Sequence, residues 1–277
     1  MEKILYITDA VKLDIQNLDF ACFLCNLTHS KLTGVFLKNE VTEVRTPEKL
    51  RETAIASAIP GASVGEVKAS YCVDNISLFK NACEIRGVNY GVHEDVGMPL
   101  NEVIAESRYA DLMIVDVATS FIRKREMAPS SFIKDLFAEA ECPVVIAPYT
   151  FDGIDKIIFT FDGSASSVYA IKQFTYLFPE LSDRKACILN VTSPGKNATA
   201  NDHKLNEWLQ AHYSDTDIVV LEDQHIKMRL VEYLLEQKKT FVVMGAFGRS
   251  MVSNFLSPSH AGPVIDLMAQ PVFITHR

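Results

Sequence analysis

Two stretches of the chain repeat each other element by element, and this constrains the fold more than any other feature. Asp111-Leu112-Met113-Ile114-Val115-Asp116 is matched by Thr240-Phe241-Val242-Val243-Met244-Gly245. Thirteen residues beyond Asp116 the chain reaches Pro129-Ser130, and thirteen beyond Gly245 it reaches Pro258-Ser259. Each then runs through a helix-length stretch to a Pro-Val pair, Pro143-Val144 and Pro271-Val272. Agreement in order and spacing over so many elements points to one α/β unit present twice.

Periodicity elsewhere fits that reading. Apolar β-branched runs alternate with 3.6-period stretches, the pattern of a parallel sheet with crossover helices. In the second half the expected strands are 156–161, 186–191, 218–221, 240–244 and 271–275. The expected helices are 165–177, 201–213, 227–237 and 258–269. Asp162-Gly163-Ser164 is a turn with Ser164 as helix N-cap. In the first half the strands are 4–8, 32–37, 89–93, 112–115 and 143–147, with helices at 13–27, 100–108 and 131–140. Residues 40–74 break the match. With Pro47, Pro60 and Gly61-Ala62-Ser63 they read as a helix plus a flexible loop, serving as a lid or a contact surface.

A length of 277 residues suits two domains, each with its own core, and 48% hydrophobic against 22% charged residues is a globular balance. Tyr149–Gly153 has the composition of a short linker, giving domains 1–150 and 151–277. Apolar runs such as Ile218–Leu221 and Phe241–Met244 are far shorter than a membrane span. The opening residues Met1–Asp9 read as a strand and lack a signal-peptide pattern, so the expected location is cytoplasmic. A net charge of −8 argues against nucleic acid as a partner. The one basic cluster, Arg123-Lys124-Arg125, reads as a solvated loop. The six cysteines are scattered, and Cys22-Phe23-Leu24-Cys25 lies in an apolar stretch where cysteine packs as a small hydrophobe.

In a doubly wound parallel sheet, ligands bind beyond the carboxyl ends of the strands where the order reverses. The loops after the first and fourth strands should meet there. In the second half these supply Asp162-Gly163-Ser164 and Gly245-Ala246-Phe247-Gly248-Arg249-Ser250. Glycines let backbone N–H groups approach a phosphate, and a helix N-terminus favours negative charge. Ser259 adds a hydroxyl and Arg249 a countercharge.

These residues resemble the universal stress protein family in its tandem-domain form, and the likeness covers essentially the whole chain. The resemblance implies an adenine nucleotide alpha hydrolase-like fold: two tandem open parallel five-stranded sheets flanked by helices, each with flavodoxin-like strand order 3-2-1-4-5. Nucleotide-binding members carry Gly-x2-Gly-x9-Gly-Ser/Thr after the fourth strand and an Asp after the first. Here the second half has Gly245-x2-Gly248-x9-Pro258-Ser259, preceded by Met244, with Thr160-Phe161-Asp162 ending its first strand and Val191 its second. By that resemblance Asp162 and Val191 hold adenine, while Gly245, Gly248 and Ser259 line ribose and phosphates. The implied cofactor is ATP with Mg. Pro258 stands where the third motif glycine belongs, and losing a backbone donor to a phosphate costs ~1.5–3 kcal/mol. A proline at the first helical position with Ser257 as N-cap is also an ordinary helix start.

The first half has lost the motif glycines, with Asp116 in place of the first and Thr119 in place of the second. A carboxylate aimed at a phosphate repels it. This degenerate half is expected to bind no triphosphate and to act as the second subunit of an intramolecular pseudo-dimer. Its last strand and that of the second half, 143–147 and 271–275, would lie at sheet edges and are expected to join the halves. A further homodimer and other protein partners are left open.

No catalytic residues stand out, and neither a Gly-x-Ser-x-Gly elbow nor a Walker pattern is present. The seven histidines are dispersed; His260 beside Ser259 reads as a surface or helix-start residue, and His93-x-Asp95 lies at a strand end where a polar loop explains it as well as a metal would. Three readings follow. The first is a stress or regulatory protein binding an adenine nucleotide in its second half. The second is a tandem interaction module that binds none, and the third is at most a slow ATPase.

Overall fold

A computed structural model describes residues 1–39, 64–122, 126, 128–195, 203–245 and 270–275. The strands of the first half are β1 (Lys3–Asp9), β2 (Lys31–Asn39), β3 (Tyr90–Gly97), β4 (Leu112–Val115) and β5 (Val144–Ile146). Its helices are α1 (Ile15–Thr28), α2 (Val64–Ile85), α3 (Pro99–Ser107) and α4 (Ser131–Glu139). The second half supplies β6 (Lys156–Thr160), β7 (Lys185–Thr192), β8 (Thr216–Glu222), β9 (Thr240–Gly245) and β10 (Val272–Thr275). Between them lie α5 (Ala165–Leu177), a 3-10 turn at Pro179–Leu181, α6 (His203–Gln210) and α7 (Ile226–Leu235).

All ten strands form one sheet in the order β3-β2-β1-β4-β5-β10-β9-β6-β7-β8. Each half therefore has strand order 3-2-1-4-5, and the two are related by reversal about the centre. The pairings repeat in register as well as in order. Lys3 pairs with Lys31 as Lys156 does with Lys185, and Ile4 pairs with Leu112 as Ile157 does with Phe241. Met113 opposite Val144 corresponds to Val242 opposite Val272. Pairing within the halves is parallel, whereas β5 and β10 join the halves antiparallel, with Val145 opposite Phe273. The expected joint is thus present, and neither final strand is left as a free edge.

Strands buried on both faces read as continuous apolar runs, and β4 and β9 are buried at every position. Alternate side chains feed two cores: Ile4 and Tyr6 belong to one, Leu5 and Ile7 to the other. The first core crosses the joint. Phe20 of α1 meets Phe241 of β9 at 6.4 Å between ring centroids, and Phe151 of the connecting segment packs on Phe20 and Phe23 at 5.0 and 4.7 Å. Aromatic burial of this kind ties the connecting segment down.

Two elements extend well beyond the sequence expectation. The helix expected within 40–74 runs on to Ile85, because Phe79 and Cys83 of α2 are fully buried and Phe79 packs against Phe36 and Tyr90. Strand β3 reaches Gly97, four residues past the expected end, paired along its length with β2. The expected helix at 258–269, residues 40–63 and the basic cluster 123–125 lie outside the described residues. Among the described residues no helix is long and apolar enough to cross a membrane.

Candidate functional site

The strand order reverses between β6 and β9, and in open α/β sheets ligands bind beyond the carboxyl ends of the strands at such a point. Thr160 ends β6, and its hydroxyl donates to the Val243 carbonyl of β9 at 3.1 Å. The Phe161 N–H donates to Leu189 of β7 at 2.9 Å, while the Asn190 side-chain amide donates to the Phe161 carbonyl at 2.7 Å. Asn190, which nothing in the sequence singles out, therefore fixes where the chain leaves the sheet. Asp162 then stands exposed at the rim.

A tight turn follows. Gly163 adopts a φ of +83°, a conformation open to glycine at little cost, and the Asp162 carboxylate accepts the Ser164 N–H at 2.9 Å. Ser164 is the N-cap of α5, as expected, accepting from Ser167 N–H at 3.1 Å. The turn brings α5 close against the end of β9. A Cβ on Gly245 would lie 2.7 Å from the backbone carbonyl of Ser166 and 2.8 Å from the Ser167 nitrogen. Of the residues named from the sequence, Thr160, Phe161, Asp162, Val191, Met244 and Gly245 thus lie at the carboxyl ends of three neighbouring strands. Gly248, Arg249 and Ser259, with Ser257, Pro258 and His260, fall outside the described residues.

The equivalent place in the first half is built differently. Asp116 occupies the position of Gly245, and a small cleft of about 70 Å³ lies there, lined by Asp9, Lys12, Asp14, Asp116 and Thr119 among others. Burial raises the Asp116 carboxyl above its ordinary range, with the Ala118 N–H and Lys12 pulling the other way. Asp116 accepts from Ala118 N–H at 2.8 Å. Ser130, the counterpart of Ser259, caps α4 by accepting from Ile133 N–H at 3.2 Å. In the described half the serine that follows the proline is therefore the helix cap.

The remaining candidates from the sequence have structural roles. His93 lies within β3 and its Nδ1 is 2.7 Å from Glu106, which also receives Lys3 at 3.1 Å. All six cysteines are buried and unbridged, and burial pushes the Cys142 thiol up to about 12. Among the described residues no group of three or more His, Cys, Asp or Glu side chains is placed to hold a metal ion.

No family model matches the chain, and no curated protein matches it. Solved structures do. A universal stress protein from Archaeoglobus fulgidus DSM 4304 aligns over 99% of this chain and 98% of its own, at 15% identity and a TM-score of 0.66. A putative universal stress protein from Pseudomonas aeruginosa UCBPP-PA14 aligns over 100% and 93%, at 14% identity and a TM-score of 0.58. A functionally unknown protein from Pseudomonas aeruginosa PAO1 aligns over 100% and 92%, at 13% identity and a TM-score of 0.55. The chain has the fold of the universal stress proteins, in the tandem form that carries both halves in one polypeptide.

Proposed function

We propose that the protein is a universal stress protein that acts as a regulatory binder of an adenine nucleotide, taking one nucleotide per chain in its second half. The division follows the sequence repeat: a degenerate domain at 1–150 and a nucleotide-binding domain at 151–277. The observation that carries this reading is the contrast at one register position, Gly245 in the second half and Asp116 in the first. Glycine puts no charge at the strand end, whereas a half-buried carboxylate there opposes an anion.

In this reading Asp162 and Val191 hold the adenine, with Thr160, Phe161 and Met244 shaping the floor. Gly245, Gly248, Arg249 and Ser259 take the ribose and phosphates. A carboxylate has acceptor sites to spare beyond the one that Ser164 N–H occupies, so Asp162 can accept from an adenine amine. Magnesium, where ATP is the ligand, would be carried on the phosphates. The protein works in the cytoplasm and turns over no substrate beyond slow ATP hydrolysis.

A second reading, an interaction module without nucleotide, draws on the exposed apolar residues of α2. Tyr71, Val73, Leu78 and Ile85 are 45–74% exposed. Mass spectrometry of nucleotide released from gently purified protein separates the two. Retained adenine nucleotide, and a thermal shift with millimolar Mg-ATP, are expected. A blank in both assays removes the nucleotide reading in favour of the module.

A further inference from the structure

The two halves differ at a second place, and it faces the first. In the second half one residue, Gly163, separates Asp162 from the N-cap Ser164. In the first half four residues, Ala10–Leu13, separate the equivalent Asp9 from the N-cap Asp14. The strand registers make Asp9 and Asp162 equivalent, and likewise Asp116 and Gly245.

The short turn explains Gly245 without any ligand. Because Gly163 takes a left-handed φ, the chain reverses at once and α5 starts low against the sheet. The backbone of Ser166 and Ser167 then fills the space that a Cβ on β9 would need, at 2.7–2.8 Å. Backbone atoms inside a capped helix cannot swing aside as a side-chain tip would. The first half has no glycine in its turn, and its longer loop folds on itself. Lys12 N–H donates to the Asp9 carbonyl at 3.0 Å, and the Thr8 hydroxyl donates to the Lys12 carbonyl at 3.0 Å. This loop places Lys12 in the same cleft as Asp116.

We infer that the length of the turn after the first strand determines which residue can follow the fourth, so that loop and residue form a matched pair in each half. The pair Gly163 and Gly245 packs the helix tightly against the strand end with no side chain between them. The pair Ala10–Leu13 and Asp116 makes room for a side chain and supplies Lys12 as its countercharge. Gly245 is therefore a packing residue first, and the loop length is the specificity determinant that sets the polarity of each site. The ligand consequence, an anion accepted in one half and opposed in the other, rests on the function proposed above. The packing claim does not.

The test is a set of thermal melts without nucleotide on the full chain. Gly245→Ala in the native turn is expected to lower the melting temperature by roughly 3–10 °C, the range for forcing an atom into a packed core. In a chain whose Gly163 is replaced by Ala-Val-Lys-Leu, copied from the first half, the same Gly245→Ala change is expected to lose less than half as much. Asp116→Ala, beside the long loop, is expected to cause no loss. An unfolded G245A chain rescued by the longer turn is the strong form of the same result. Should the lengthened chain itself fail to fold, the two single substitutions decide: a loss at Gly245 with none at Asp116 supports the pairing, and equal losses overturn it. An equal loss from Gly245→Ala in both turns, or none in the native turn, also overturns it. Because these melts contain no ligand, a blank nucleotide assay would remove the proposed function and leave this result standing.

Discussion

Val145 and Phe273 face each other across an antiparallel joint that turns two five-stranded halves into one sheet. Phe273 is fully buried and its ring lies 5.4 Å from Phe174 of α5 and 6.4 Å from Phe178. The joint is thus also the floor of the core that the halves share. Phe273→Ala is expected to cost about 3–5 kcal/mol of stability. Denaturant unfolding followed by both fluorescence and circular dichroism would check it. A shift within ordinary surface-mutation limits, about 0.5 kcal/mol, would mean that the joint bears little of the stability.

Asp116 is a half-buried carboxyl in a cleft with two further carboxylates and one lysine. Burial raises it above the ordinary range, so the folded state holds its proton to higher pH than the unfolded chain does. A raised carboxyl makes folding less favourable as pH rises through the interval between its unfolded and folded values. Asp116→Asn should therefore raise the melting temperature at neutral pH. The gain should shrink as the pH is lowered into the carboxylate range. A gain that is the same across that range would assign the effect to something other than charge.

Glu106 has the opposite sign. Burial alone would raise it, but hydrogen bonds from Lys3 and His93 outweigh that and hold it below the ordinary range. A depressed carboxyl stabilises above its unfolded value and loses that contribution as pH falls through the folded one. Since Glu106 is partly exposed, Glu106→Gln is expected to cost only about 1 kcal/mol at neutral pH. The difference from the parent should close on acidification, as read by urea titrations at several pH values.

Asn17, in the first turn of α1, is 1% exposed, and neither polar atom of its amide has a hydrogen-bond partner among the described residues. Its counterpart in the second half is Ser167, whose hydroxyl donates to the Ser164 carbonyl at 2.8 Å. A buried amide without partners carries a desolvation penalty of about 1–3 kcal/mol. Asn17→Leu, which keeps the branched shape without polar atoms, is expected to stabilise the chain. A loss of stability would show that the amide is bonded in solution, for example through a buried water.

Much of this architecture is legible in the sequence because it rests on local signals. The run Phe241–Met244, the Pro-Val pairs and the turn at Asp162 each announce an element, and their repetition gives the doubled sheet and its joint. What escapes is long-range. His93 gains its meaning from Glu106 on a helix thirteen residues away, and Asn190 from the Phe161 carbonyl just past the end of β6. Gly245 is the clearest case. As a motif residue it points to phosphate, while the structure gives it a packing reason that no spacing rule contains, the approach of Ser166. The length of α2 was hidden similarly, since Phe79 and Cys83 are core residues only once β2 and β3 lie beneath them.

The central claim, one adenine nucleotide per chain held in the second half, is tested most directly by isothermal titration of Mg-ATP and AMP into the full chain and two variants, Asp162→Ala and Asp9→Ala. A stoichiometry of one is expected, with binding abolished or weakened at least tenfold by Asp162→Ala and unchanged by Asp9→Ala. Two sites per chain, or binding lost with Asp9 and kept without Asp162, would contradict it.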